Sequence, residues 1–309
     1  AAPGLLGGHV PGRADEHPGL RHPGDAAEVG DAEVEQLHPL QLVALEEQVG
    51  GLEVAVDDTG LVRGLQRFIR TPGPRAATEA EQEARLKALL RDYNRSGFTT
   101  VADRGASVGS VAQYARLRAQ NALTTRVALS QTFPTVGGLA SILTAIDQIA
   151  ESPWRGDDPW LRLIGTKIWL DGGMLTGSAY MVKPWGRNEN YGIRDDTYRG
   201  VLNVPGDRLR AMIRRVAGHG MQFTAHTVGD GASEELLAAY ADIARELPLR
   251  DLRPSISHSN FMTSETVAAA ARLGVVMDIQ PIWLYLDTRA LVAQFGYERL
   301  RWFQPLRSI

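Results

Sequence analysis

From about residue 76 onward the chain alternates helical and extended segments, and this cadence limits the fold more than any other feature. "TEAEQEARLKALLRDYNRSG" has an acidic first turn, apolar residues at helical spacing and a terminal Gly97, the marks of a helix. "FTTVAD" follows as a short β-branched strand ending in Asp103. The pattern then repeats: helical "SVAQYARLRAQNA", extended "RVALSQTF", helical "GLASILTAIDQIAES", extended "LRLIGTKIWLDGG". After a long loop over residues 174–200 come the helix "DRLRAMIRRVAGHG", the strand "MQFTAHTV" and the helix "ASEELLAAYADIAREL". Extended "RPSISHS", helical "SETVAAAARLG" and extended "VVMDIQPIW" complete the series. Strands that are continuously apolar and separated by helices predict a parallel sheet covered on both faces.

Six such strands fit either a doubly wound sheet or a (β/α)8 TIM barrel. No Gly-x-Gly-x-x-Gly turn follows any strand, which counts against a dinucleotide-binding sheet. Polar residues instead collect at strand ends: Asp103, Lys167 with Asp171, His226, His258 and Gln280. A barrel brings the C-terminal ends of its strands around one site, so the barrel is the expected fold.

Composition narrows the partners. With 309 residues, a net charge of −3 and 44% hydrophobic residues, the chain is expected to be a soluble, cytoplasmic globular protein. No basic excess points to nucleic acid, and no apolar run is long enough for a membrane span. The oligomeric state is not legible. There is no cysteine, so a metal has only His, Asp, Glu or a modified Lys to hold it. Four of the seven histidines (His9, His17, His22, His38) fall in the first 38 residues, a Pro-, Gly- and Ala-rich stretch without periodicity. Residues 1–49 are therefore expected to be irregular and poorly packed, with the texture of a frame error in a GC-rich gene.

Only Lys87, Lys167 and Lys183 are lysines. Lys167 lies among Ile, Trp and Leu within a strand, where a buried cation is costly unless it is paired or modified. Pairing with Asp171, or an outward-reaching side chain, is the simpler account. His226 and His258 end consecutive strands. Singly each fits a core histidine; together they fit a metal site equally well.

"KIWLDGGMLTGSAYMVKPW", "AHTVGDGA", "SISHSNF" and "DIQPIWL", in this order, resemble the amidohydrolase superfamily. The similarity extends over residues 50–309, and the nearest branch is amidohydrolase family 3, with its N-substituted formamide deformylase-like members. The resemblance implies a (β/α)8 barrel with one or two divalent ions, usually zinc. It implies that Lys167 is carboxylated and bridges the metals, and that His226 and His258 are imidazole ligands. Asp171, Asp230 and Gln280 would orient ligands, form turns or meet substrate, and Trp283 would line the pocket or the core. The implied reaction is hydrolysis of a carbon–nitrogen bond, in a small non-peptide amide or formamide, by a metal-activated water. An aldolase using Lys167 as a Schiff-base nucleophile is the reading from another class.

The sequence also departs from that family. It has no His-x-His, which the family carries on its first strand. The aspartate that the family places on its last strand would lie beyond Ile309. The expectation is a barrel short of its first and last strands, with weak turnover or none.

Overall fold

The computed structural model describes residues 77–189 and 191–309. Residues 1–49, expected to be irregular, lie outside that range, as does the first part of the expected barrel segment. The six strands are β1 (Thr100–Ala106), β2 (Arg126–Thr132), β3 (Leu161–Trp169), β4 (Gln222–Thr227), β5 (Ser255–His258) and β6 (Val276–Asp278). The helices are α1 (Glu79–Arg95), α2 (Val108–Ala119), α3 (Leu139–Ala150), α4 (Gly206–Gly218), α5 (Asp230–Ile243), α6 (Ser264–Leu273), α7 (Ile282–Leu286) and α8 (Thr288–Arg299). Local signals set several boundaries. Thr78 and Glu81 form a capping box at the start of α1, and Gly274 ends α6 in the left-handed conformation.

All neighbouring strands are parallel, and their order is sequential from β1 to β6. A doubly wound sheet reverses its strand order at a switch point; this one never does. The sheet also curls. Arg104 of β1 reaches Asp278 of β6, with Nε 2.9 Å from Oδ2, so side chains from the two edge strands meet across the concave face. Among the described residues the architecture is thus an α/β part-barrel of six parallel strands. None of the described helices is long and apolar enough to cross a membrane.

The apolar core lies between sheet and helices. Ile168, Phe223, Ala225 and Ile256 from the strands join Ile142 and Ile146 of α3, Met212 and Val216 of α4, and Leu236 of α5. Buried Tyr240 of α5 ties two strands together, donating toward the carbonyls of Phe223 (2.8 Å) and Ser255 (3.0 Å). The concave face is polar by contrast: Arg104 donates to Ser130 and Gln222, and Ser255 donates to Asp278.

Strict alternation along β3 would send Lys167 to the same side as Leu161 and Leu163, into the helix layer. A β-bulge prevents this. Leu129 pairs with Leu163 and the next residue, Ser130, pairs with Gly165, so Ile164 is the extra residue. Beyond it Ile168 faces the core and Lys167 faces the concave side. Gly165 is required at this point, because a Cβ there would lie 2.0 Å from the carbonyl oxygen of Gln222. Gly165→Ala is expected to cost about 1–3 kcal/mol of stability, read as a lower urea midpoint at unchanged slope. A midpoint equal to wild type would show that β3 and β4 are not packed this closely.

One expected strand is cut short and gives way to a helix. "VVMDIQPIW" is extended only over Val276–Asp278, and Trp283 belongs to α7. Pro281 explains the change: at φ −59° and ψ −22° it has helical geometry, and it has no N–H for a sheet ladder.

Candidate metal centre

Lys167, His226 and His258 come from three adjacent strands, β3, β4 and β5. Lys167 pairs in register with Thr224, two residues before His226 on the same face of β4. Its side chain is buried, with Nζ 3.4 Å from Oγ of Ser257 and 5.5 Å from the centre of the Trp169 ring. His226 and His258 stand edge to face, with ring centroids 4.7 Å apart. Trp283 packs against His258, with ring centroids 5.3 Å apart.

His258 reaches this position by a backbone device. It is one residue beyond Ser257, which faces Lys167, so alternation would turn His258 away from the concave side. Instead His258 adopts φ 87° and Ser259 φ 49°, two consecutive non-glycine residues in the left-handed region. Each such residue costs about 1–3 kcal/mol unless its surroundings enforce it. The turn swings the ring back beside His226.

Buried Asp171 organises the other half of the site. It lies just beyond β3, and its carboxylate accepts from the backbone N–H of Tyr180 (3.1 Å), Val228 (3.0 Å) and Gly229 (2.8 Å). The same carboxylate lies 3.1 Å from Nδ1 of His226. It therefore joins the end of β4, the start of α5 and the loop after β3. A Cβ at position 229 would lie 1.9 Å from the carbonyl oxygen of Tyr180, so only glycine lets this turn close. Gln280 does for His258 what Asp171 does for His226: its Oε1 lies 3.0 Å from Nδ1. Asp230 stands apart from the histidines. It accepts from the N–H of Val182 (2.8 Å) and Gly231 (2.9 Å), tethering the long loop to α5. The structure thus brings together Lys167, Asp171, His226, His258 and Gln280, and makes Asp230 a tether. A separate cavity of about 350 Å³, lined by Arg104, Gln222, Arg253 and Val276 among others, opens where β4, β5 and β6 begin, at the opposite end of the strands.

A profile described as the amidohydrolase family matches residues 42–309, most of the chain. The chain belongs to the amidohydrolase family. Among curated proteins it is 25% identical to YtcJ of Bacillus subtilis (strain 168) over 46% of this chain and 25% of that one. It is 26% identical to LONG AFTER FAR-RED 3 of Arabidopsis thaliana over 45% of this chain and 23% of that one. The matched region spans about a quarter of the length of each. Among solved structures, an uncharacterized metal-dependent hydrolase from Pyrococcus horikoshii superposes with a TM-score of 0.61 at 18% identity, over 76% of this chain and 44% of that one. Another from Pyrococcus furiosus gives 0.61 at 17%, over 80% and 47%. At these identities the superpositions speak for a shared fold.

In this amidohydrolase the charge states suit a cation site. Burial holds the His226 imidazole down to about pKa 3, with the Lys167 charge adding to the effect. Burial, then the neighbouring His226 and Lys167, holds His258 well below the usual histidine range. Both rings are therefore neutral near pH 7. Burial raises Asp171 to about 7, against the opposing pull of the Gly229, Val228 and Tyr180 N–H groups. When Asp171 is ionised it accepts from Nδ1–H of His226, and Gln280 Oε1 accepts from Nδ1–H of His258. Each ring then presents an Nε2 lone pair, the state that a metal takes up. Among the described residues no group of three or more His, Asp and Glu is gathered for a metal; the two imidazoles stand beside buried Lys167. Two neutral imidazoles fit a divalent ion, and Lys167 would join them only if its amine were converted to an anion.

The shifts also set how stability depends on pH in metal-free protein. Asp171, raised from about 3.9 in the unfolded chain, lowers stability as pH rises from about 4 to 7. His226, depressed from about 6.5, lowers stability as pH falls from about 6.5 to 3. Between roughly pH 4 and 6.5 these two slopes cancel, and His258 remains. The urea midpoint is expected to fall as pH drops below about 6.5, and His258→Gln is expected to flatten that fall. An equally steep fall in the variant would place the proton uptake elsewhere.

Proposed function

We propose that this chain carries the catalytic barrel of a metal-dependent hydrolase that cleaves carbon–nitrogen bonds in small non-peptide amides, in the manner of the formamide deformylase-like branch. The complete fold is read as a (β/α)8 barrel, the ion as zinc, and Lys167 as carboxylated. A soluble, cytoplasmic enzyme without nucleic-acid or membrane partners is part of this reading.

The observation that supports it best is the pair of imidazoles, each fixed through Nδ1 by a different side-chain oxygen and set 4.7 Å apart beside a buried lysine. A core histidine needs one hydrogen-bond partner and no neighbour of its kind. Lys167, His226 and His258 would hold the ion, and a bound divalent ion supplies a Lewis acid for the carbonyl and lowers the pKa of water. Asp171 keeps the His226 proton on Nδ1, and Gln280 does the same for His258. Carboxylation also removes the cost of a buried cation, since Lys167 would become an anion facing the ion. The Schiff-base alternative has less support, because it assigns no task to the oriented histidine pair.

The test is a panel of N-formyl and N-acyl amines assayed with zinc, manganese or cobalt. Turnover, expected to be weak, is expected to vanish on chelation, to return with metal and to be absent from His226→Ala. Turnover that survives both chelation and that substitution would refute the reading, as would trapping of Lys167 by borohydride with a carbonyl substrate.

A further inference from the structure

The left-handed turn at His258 is held by the end of β4, where the Ser259 N–H donates to the Thr227 carbonyl (3.0 Å) and the Phe261 N–H to the Val228 carbonyl (2.9 Å), and also by a segment from far along the chain. Residues 302–304, after α8, lie against residues 258–262. The Met262 N–H donates to the Trp302 carbonyl (3.2 Å), the Gln304 N–H donates to the Asn260 carbonyl (2.8 Å), and Phe261 and Phe303 pair as an isolated antiparallel bridge. From this segment Gln304 turns inward. Its side chain is buried, and Nε2 donates to the carbonyl of His258 at 3.4 Å. Gln304 itself has φ 45°, a strained backbone for a residue that serves only to fill space. Its Oε1 has no protein partner, so hydrogen-bond satisfaction of the glutamine does not account for its being buried there.

We infer that Gln304 is a positioning residue for His258, holding the strained carbonyl so that the imidazole stays beside His226 with Nε2 presented. The inference rests on the reading of His258 as a ligand. Two contacts then fix the residue at opposite ends: Gln280 on the ring and Gln304 on the backbone. Without the second, the backbone relaxes toward ordinary strand geometry and the ring turns toward the helix side. Sequence reading gave no hint of this, since Gln304 sits in no motif and lies 46 residues from its target.

The test uses the full chain with ¹⁵N-labelled histidine, and the Gln304→Met and Gln304→Leu variants. Both lose the N–H donor and supply no other; they differ in length and shape, so a fold that rejects one still permits the measurement on the other. Phe303→Leu is the control, since it loosens the same segment and leaves the amide intact. In metal-free wild type, His258 is expected to show one tautomer, protonated at Nδ1. In the Gln304 variants it is expected to show mixed tautomers, with His226 unchanged, and zinc affinity is expected to fall about 10-fold or more. Phe303→Leu is expected to lower stability and leave the His258 tautomer as it was. The inference fails if His258 keeps its single tautomer in the Gln304 variants, or if Phe303→Leu disturbs it equally. If wild type binds no zinc while the tautomer still responds to Gln304, the metal reading fails and the positioning role stands.

Discussion

Asp171→Ala is expected to destabilise the protein by about 3–5 kcal/mol, because it removes a buried acceptor shared by four donors. Three backbone N–H groups, from Tyr180, Val228 and Gly229, would lose their acceptor, and so would Nδ1 of His226. Each buried donor left unsatisfied costs about 1–3 kcal/mol, and water entering the space recovers part of that. Against a total stability of about 5–15 kcal/mol the loss is a large fraction. The loop after β3 and the turn into α5 are expected to open first, because Asp171 is what joins them. Asp171→Asn keeps the shape and one acceptor, so it is expected to lose less. Urea unfolding of the three proteins measures the order wild type, Asn, Ala. If Asp171→Ala unfolds within about 1 kcal/mol of wild type, the carboxylate is not the organiser described above.

The second large effect concerns the metal. His226→Ala removes a proposed ligand, so its zinc affinity is expected to fall by more than the 10–100-fold typical of losing a residue that only orients a ligand. The wild-type affinity is itself expected to depend on pH. Below about 7 Asp171 takes up a proton and donates to Nδ1 of His226, which puts the ring proton on Nε2 and removes the lone pair. Zinc affinity is expected to fall about tenfold for each pH unit below that point, as one proton competes with one ion. Calorimetric titration at several pH values measures both effects. Equal affinities for wild type and His226→Ala would remove His226 from the ligand set.

Much of this is legible in the sequence. The alternating cadence fixed the parallel sheet, because continuous apolar strands between helices have few other solutions. Lys167, His226 and His258 stood out as polar residues at the ends of apolar strands, and the structure places them on neighbouring strands of one sheet. What sequence could not supply was the aim of those side chains. Simple alternation sends both Lys167 and His258 to the helix side. The bulge at Ile164 and the left-handed turn at His258 reverse each one, and both depend on tertiary contacts. Gly165 was the one local sign of the first device. Sequence marks Asp171 and Gln280 as candidates, but their tasks appear only when Val228, Gly229 and His258 are brought to them. Asp230 looked equivalent to Asp171 in sequence; three-dimensional placement separates them, one beside His226 and the other on the loop. Trp283 was expected in a strand, where periodicity alone cannot tell a short apolar strand from a short helix after proline.

The central claim is that Lys167, His226 and His258 share one divalent ion. Crystals of the protein grown with zinc, measured on both sides of the zinc absorption edge, test it most directly. The account predicts an anomalous peak about 2.0–2.1 Å from Nε2 of both His226 and His258, with density beyond Nζ of Lys167 for a carboxylate that reaches the same ion. A zinc-soaked crystal with no peak between the two rings, or with its zinc bound elsewhere, would contradict it.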